Sequence, residues 1–110
     1  MTATTDFIAE LFRAANEVNK LAPVEKRRLL QRAIFTIRDM RDAIGIPPST
    51  TAADTLIDIS TVAAAVDRRP NQEVREALLE AAGMIRDLRI VIDSKIEVMI
   101  KNARGSEPTP

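Results

Sequence analysis

From Asn71 to about residue 103 the chain contains no proline and one glycine, Gly83, and its apolar residues keep a helical period throughout. Val74, Leu78, Ala81, Ile85, Leu88, Ile92 and Met99 fall at steps of three, four or seven, which places them on one face of a helix. At 1.5 Å per residue such a helix is on the order of 50 Å long. That length constrains the rest of the fold, because a helix half as long leaves part of this face uncovered.

Within this helix the stretch MIRDLRIVIDSKIEVMIKN, residues 84–102, carries a second seam. Met84, Leu88, Val91, Lys95, Val98 and Asn102 share Leu88 with the first seam and lie roughly 80–100° beside it. The combined arc is roughly 200°, whereas a peripheral helix buries a stripe of somewhat over 100°. Three arrangements could use the surplus. The helix could be central, with helices of its own chain on both sides. RIVIDSKIEVMI could form a β-hairpin, although Asp-Ser lacks the glycine that tight turns favour and two strands alone are marginal. In the third arrangement, which we favour, the second seam packs on another copy or another protein. Lys95 and Asn102 suit it, because polar residues inside an apolar seam restrict register and oligomer state. Gly83, costly in a helix interior, would permit close backbone approach. The expected dimer or partner interface is Met84, Leu88, Val91, Ile92, Lys95, Val98 and Met99.

Three further helices precede this one, so the sequence predicts an all-α bundle of about four helices with a long C-terminal helix. The first is expected after Thr5 or Asp6, either of which can cap the opening turn. It carries two overlapping seams, Ile8, Leu11, Phe12, Ala15 and Val18 on one, and Phe7, Leu11, Ala14, Val18 and Leu21 on the other. Pro23 either opens a second helix or kinks a continuing one. Leu30, Ala33, Ile37, Met40 and Ile44 then give a stripe that ends at Gly45, suited to a left-handed cap, with Ile46 as its hydrophobic follower and Pro47 and Pro48 as a stop. In the third helix Thr51 and Asp54 have capping-box spacing, and Ala52, Leu56, Ile59, Ala63 and Val66 form a narrow seam. Pro70 ends that pattern, and Asn71 is a suitable cap for the long helix.

A chain of 110 residues suits one domain, expected over residues 1–104, with the polar tail GSEPTP at 105–110 disordered. Apolar residues make up 45% and charged residues 29%, a globular composition, and with aromatics at 3% the core must be aliphatic. The opening MTATTDFIAELF lacks the basic segment and long apolar run of a signal peptide, and no uncharged apolar run is long enough to span a bilayer. With no cysteine to form disulfides, the expectation is a soluble cytoplasmic protein without membrane association.

Chemistry has few places to reside. There is no histidine, cysteine, tyrosine or tryptophan, which removes the commonest general base and the thiol nucleophile. Asp54 with Asp58, Glu76 with Glu80, and Asp93 with Glu97 are carboxylate pairs at four-residue spacing. No third ligand reinforces any of them, so solvated surface is the simpler reading. The chain is expected to be no enzyme and to need no metal or cofactor.

Sixteen basic and sixteen acidic residues leave no net charge to attract nucleic acid at long range. The run EKRRLLQR does gather Lys26, Arg27, Arg28 and Arg32, an alternative nucleic-acid patch, although Asp39 and Asp42 interrupt its continuation. Phe35 falls among Arg28, Gln31, Arg32, Asp39 and Asp42, opposite the Ala33, Ile37 and Ile44 stripe. Either another helix folds over it or it is an exposed aromatic anchor inside a charged rim.

From TTDFIAELFRAANEV through ALLEAAGMIRDLRIVIDSKIEVMIKNARG, the chain resembles the small all-helical antiactivators of bacterial quorum sensing. The resemblance implies a noncatalytic protein that binds a LuxR-type transcription factor and prevents its dimerisation or DNA binding. The surplus seam independently suggests a homodimer or a protein partner. The alternatives are a small nucleic-acid-associated regulator and a phage or plasmid structural subunit.

Overall fold

A computed structural model describes the backbone of residues 3–45 and 50–105, and the side chains of residues 3–45 and 55–94. It contains four α-helices: α1 (Ala3–Asn16), α2 (Pro23–Ile44), α3 (Thr50–Ala64) and α4 (Asn71–Gly105). A 3₁₀ turn at Val18–Lys20 separates α1 from α2. The break is sharp because Pro23 takes the first helical position of α2, where no N–H is required. The Glu25 carboxylate accepts from the Ala22 N–H at 3.2 Å, satisfying a donor that the helix leaves free. Helices α1 and α2 are therefore distinct.

Helix α1 begins at Ala3, earlier than the expected cap at Thr5 or Asp6. Asp6 instead lies in the first turn, where its negative charge is stabilised by the positive end of the helix dipole. Of the two overlapping seams, Phe7, Leu11, Ala14 and Val18 are buried, while Phe12 turns outward. At the end of α2, Gly45 adopts φ 75° and its N–H reaches the Arg41 carbonyl at 2.9 Å, the left-handed cap that its position suggested. The follower Ile46 and the stop at Pro47 and Pro48 lie outside the described residues, as do the Thr51, Ala52 and Asp54 side chains and the tail at 106–110.

Asn71 does not cap α4 with its side chain. The Pro70 carbonyl accepts the first helical bonds, from the Glu73 N–H at 3.0 Å and the Val74 N–H at 3.3 Å, which makes Asn71 the first helical residue. Its amide is used in tertiary contacts: Lys26 Nζ donates to Asn71 Oδ1 at 2.7 Å, and Asn71 Nδ2 donates to Asn19 Oδ1 at 2.8 Å. These bonds join the starts of α2 and α4 to the turn that follows α1. Accordingly α2 runs parallel to α4, and α1 runs antiparallel to both. Arg27 near the start of α2 bonds the Ala63 carbonyl at 3.3 Å and pairs with Asp67 at 3.6 Å, so α3 also runs antiparallel to α2.

Helix α4 packs against α1, α2 and α3, which makes it the axis of the bundle. One cluster holds Leu11, Leu30, Ile37, Ile59, Leu78 and Ile85, each with no exposed surface. The central arrangement thus accounts for the first part of α4, where Val74, Ala77, Leu78, Ala81, Ala82 and Ile85 are all buried. The hairpin reading of RIVIDSKIEVMI is overturned, since α4 is one helix of 35 residues from Asn71 to Gly105. Helix propagation from a well-packed first half extends through the Ile- and Val-rich segment at little cost.

Candidate protein-binding surface on the last helix

The reach of the neighbouring helices decides which part of α4 is covered. With 22 residues, α2 extends about 33 Å, while the 35 residues of α4 extend about 52 Å. Because the two start together at Lys26 and Asn71, α2 cannot follow α4 to its end. Among the described side chains of α4, none beyond Ile85 is fully buried.

The candidate interface divides at that point. Met84, Leu88 and Ile92 are half-buried, and Met84 and Leu88 still touch the core cluster. Val91 is 41% exposed and shares the second seam with Met84 and Leu88. Lys95, Val98 and Met99 belong to the helical backbone of α4, but their side chains lie outside the described residues, as does that of Asn102. Arg89 pairs with Asp93 at 3.6 Å beside the apolar residues, and Arg86 approaches Asp87 at 3.8 Å. Such exposed pairs add little stability, and they give the seam a charged border. An added Cβ at Gly83 would meet nothing within 4 Å, so no close approach inside this chain requires glycine there.

Phe35 is 75% exposed, which removes the arrangement in which another helix folds over it. Helix geometry explains this, since Phe35 lies nearly opposite Ala33 and Ile37, both fully buried on α2. Sequence reasoning passed over two other outward aliphatics on α3 and α4, Ile57 at 61% and Ile90 at 58% exposure. Both were detectable as isoleucines at wheel positions outside their helices' core stripes.

The four cations of EKRRLLQR do not share one open patch. Lys26 is buried and bonded to Asn71. Arg27 is half-buried and held by Ala63 and Asp67. Arg32 stacks 4.2 Å above the buried Phe7 ring and pairs with Glu10 at 3.4 Å, tying α2 to α1. Arg28 is exposed. Among the described residues no three carboxylate, histidine or cysteine side chains are grouped to hold a metal ion, and no helix is long and apolar enough to cross a membrane. What these helices offer is apolar and aromatic surface bordered by charge, a composition suited to contact with protein. No family model, no curated protein and no solved structure matches this chain, so a functional reading must begin from these surfaces.

Proposed function

We propose that this chain is a noncatalytic regulator that acts by binding protein through the face of α4 containing Met84, Leu88 and Val91. It forms a homodimer through part of α4, and its target is a LuxR-type transcription factor whose dimerisation or DNA binding it blocks. The observation that supports the binding mode is the change along α4 from a fully buried face up to Ile85 to apolar residues that its own chain leaves partly or largely uncovered. Helical faces of this kind recognise other helices by inserting residues at i, i+3, i+4 and i+7 spacing. The target class is supported by the whole-chain resemblance to quorum-sensing antiactivators.

The test uses a purified, autoinducer-loaded LuxR-type regulator and its operator DNA. Adding the wild-type chain should give a co-eluting complex, reduce the regulator's dimer and release it from DNA. The Val91→Glu variant should do so at least about tenfold less effectively while retaining its helical spectrum. A regulator that stays dimeric and operator-bound in the presence of excess chain excludes that target.

A further inference from the structure

A second surface lies between α2 and α3, and none of its lining residues comes from α4. It is an open groove of ≈ 1000 Å³. Arg38, Arg41 and Asp42 of α2 form one wall, Leu56, Ile57 and Ala64 of α3 form the floor and opposite wall, and Arg68 closes one end. The neighbouring arginines at that end are engaged, Arg69 with Glu73 at 2.9 Å and Arg27 with Asp67 at 3.6 Å. Arg38, Arg41 and Arg68 have no side-chain partner among the described residues. Among the described residues the groove therefore combines three guanidinium groups without side-chain partners, one carboxylate, and an α3 wall on which Leu56, Ile57 and Ala64 are apolar and Ser60 and Thr61 polar. Phe35 stands one turn before Arg38 on the same flank of α2.

We infer that this groove docks an acidic amphipathic helix of a partner protein. An apolar stripe would lie on Ile57 and Ala64, and carboxylates near its two ends would pair with Arg68 and with Arg38 and Arg41. The spacing follows from the bundle. Arg68 adjoins the end where Arg27 meets Ala63 and Asp67, and Arg38 lies eleven residues along α2 from Arg27, about 16 Å away. An occupant of about three turns spans that distance. A helix fits it best, because the described residues offer no sheet edge to add a strand to and a helix satisfies its own backbone. Arginine suits the rim because its planar fork binds carboxylates in pairs of hydrogen bonds. Phosphate backbones fit less well, since Ile57 and Phe35 offer them nothing and Asp42 repels them.

The probe is an amidated, fluorescein-labelled helix of about 15 residues with leucines along one stripe and two glutamates at each end. A matched peptide with lysine at the four glutamate positions and a single-stranded DNA oligonucleotide serve as competitors. Fluorescence anisotropy should show the acidic helix binding roughly tenfold or more tightly than the lysine version. Arg38→Glu with Arg68→Glu should reverse that preference, and Ile57→Ser should weaken binding of the acidic peptide. Val91→Glu should leave it unchanged, which separates this groove from the α4 surface. Circular dichroism and urea unfolding identify any variant that fails to fold, and for such a variant Arg38→Gln with Arg68→Gln should still lose the preference. Equal binding of the two peptides, or binding indifferent to the arginine variants, overturns the inference. So does tighter binding of DNA that the arginine variants abolish, or a wild-type dimer that the same variants dissociate, which would make a second copy the occupant.

Discussion

Among the described residues, Lys26 is the charged side chain that the core takes in, at 7% exposure, and Asn71 is its hydrogen-bond partner. A buried ammonium is costly when a partner is removed, whereas replacing it with an apolar side chain of similar shape removes the cost along with the bond. Asn71→Ala should therefore destabilise the chain by about 2 kcal/mol in urea unfolding. In a Lys26→Met background the same change should cost only about 0.5 kcal/mol, and equal costs in both backgrounds would show that the pair is uncoupled. This residue also marks a limit of sequence reading. Lys26 stands in a run of four cations and reads as a solvent-facing residue until tertiary packing places Asn71 beside it. Gly45 is the opposite case, because Gly followed by Ile-Pro-Pro announces a left-handed cap locally. With φ 75° and no neighbour within 4 Å of an added Cβ, Gly45→Ala should cost about 1 kcal/mol through backbone strain alone.

At the level of the element, α4 is one continuous helix with two different environments. The seam from Val74 to Ile85 was legible because a 3.6-residue period has one structural meaning when it persists over about three turns. How far the core would continue was not legible, since that depends on where α2 and α3 end alongside α4. The α2–α3 groove was hidden for the same reason: Arg38 and Arg68 are 30 positions apart and become neighbours of one surface only when the helices pair. Gly83 tests the use of α4 directly. Its Cβ position is open, so Gly83→Ala should stabilise the isolated chain by about 1 kcal/mol through helix propensity. If a partner helix approaches closely there, the same substitution should weaken association while raising the unfolding midpoint. A rise in both midpoint and association would place the partner contact elsewhere on the helix.

The whole molecule is long and thin. Its extents are 62 × 30 × 16 Å and its radius of gyration is 16.8 Å, against about 13 Å for a compact chain of this length. A thickness of 16 Å holds two helix layers at the usual spacing of about 8–10 Å, which leaves both broad faces near solvent. The accessible surface of 7123 Å² is correspondingly larger than the roughly 6000 Å² typical of a 12.1 kDa monomer. Pairing through α4 would cover the apolar residues around Leu88, Val91 and Ile92 that the chain leaves partly uncovered, so sedimentation equilibrium at micromolar concentration should give twice the chain mass. Val91→Glu should shift the mass toward the monomer without loss of helicity, because Val91 contributes little to the chain's own core. Phe35→Ser, on the far side of α2 from the core, should leave the dimer intact. If Val91→Glu unfolds the chain while any remaining folded fraction associates as before, the second seam is internal packing and the dimer must form through another face.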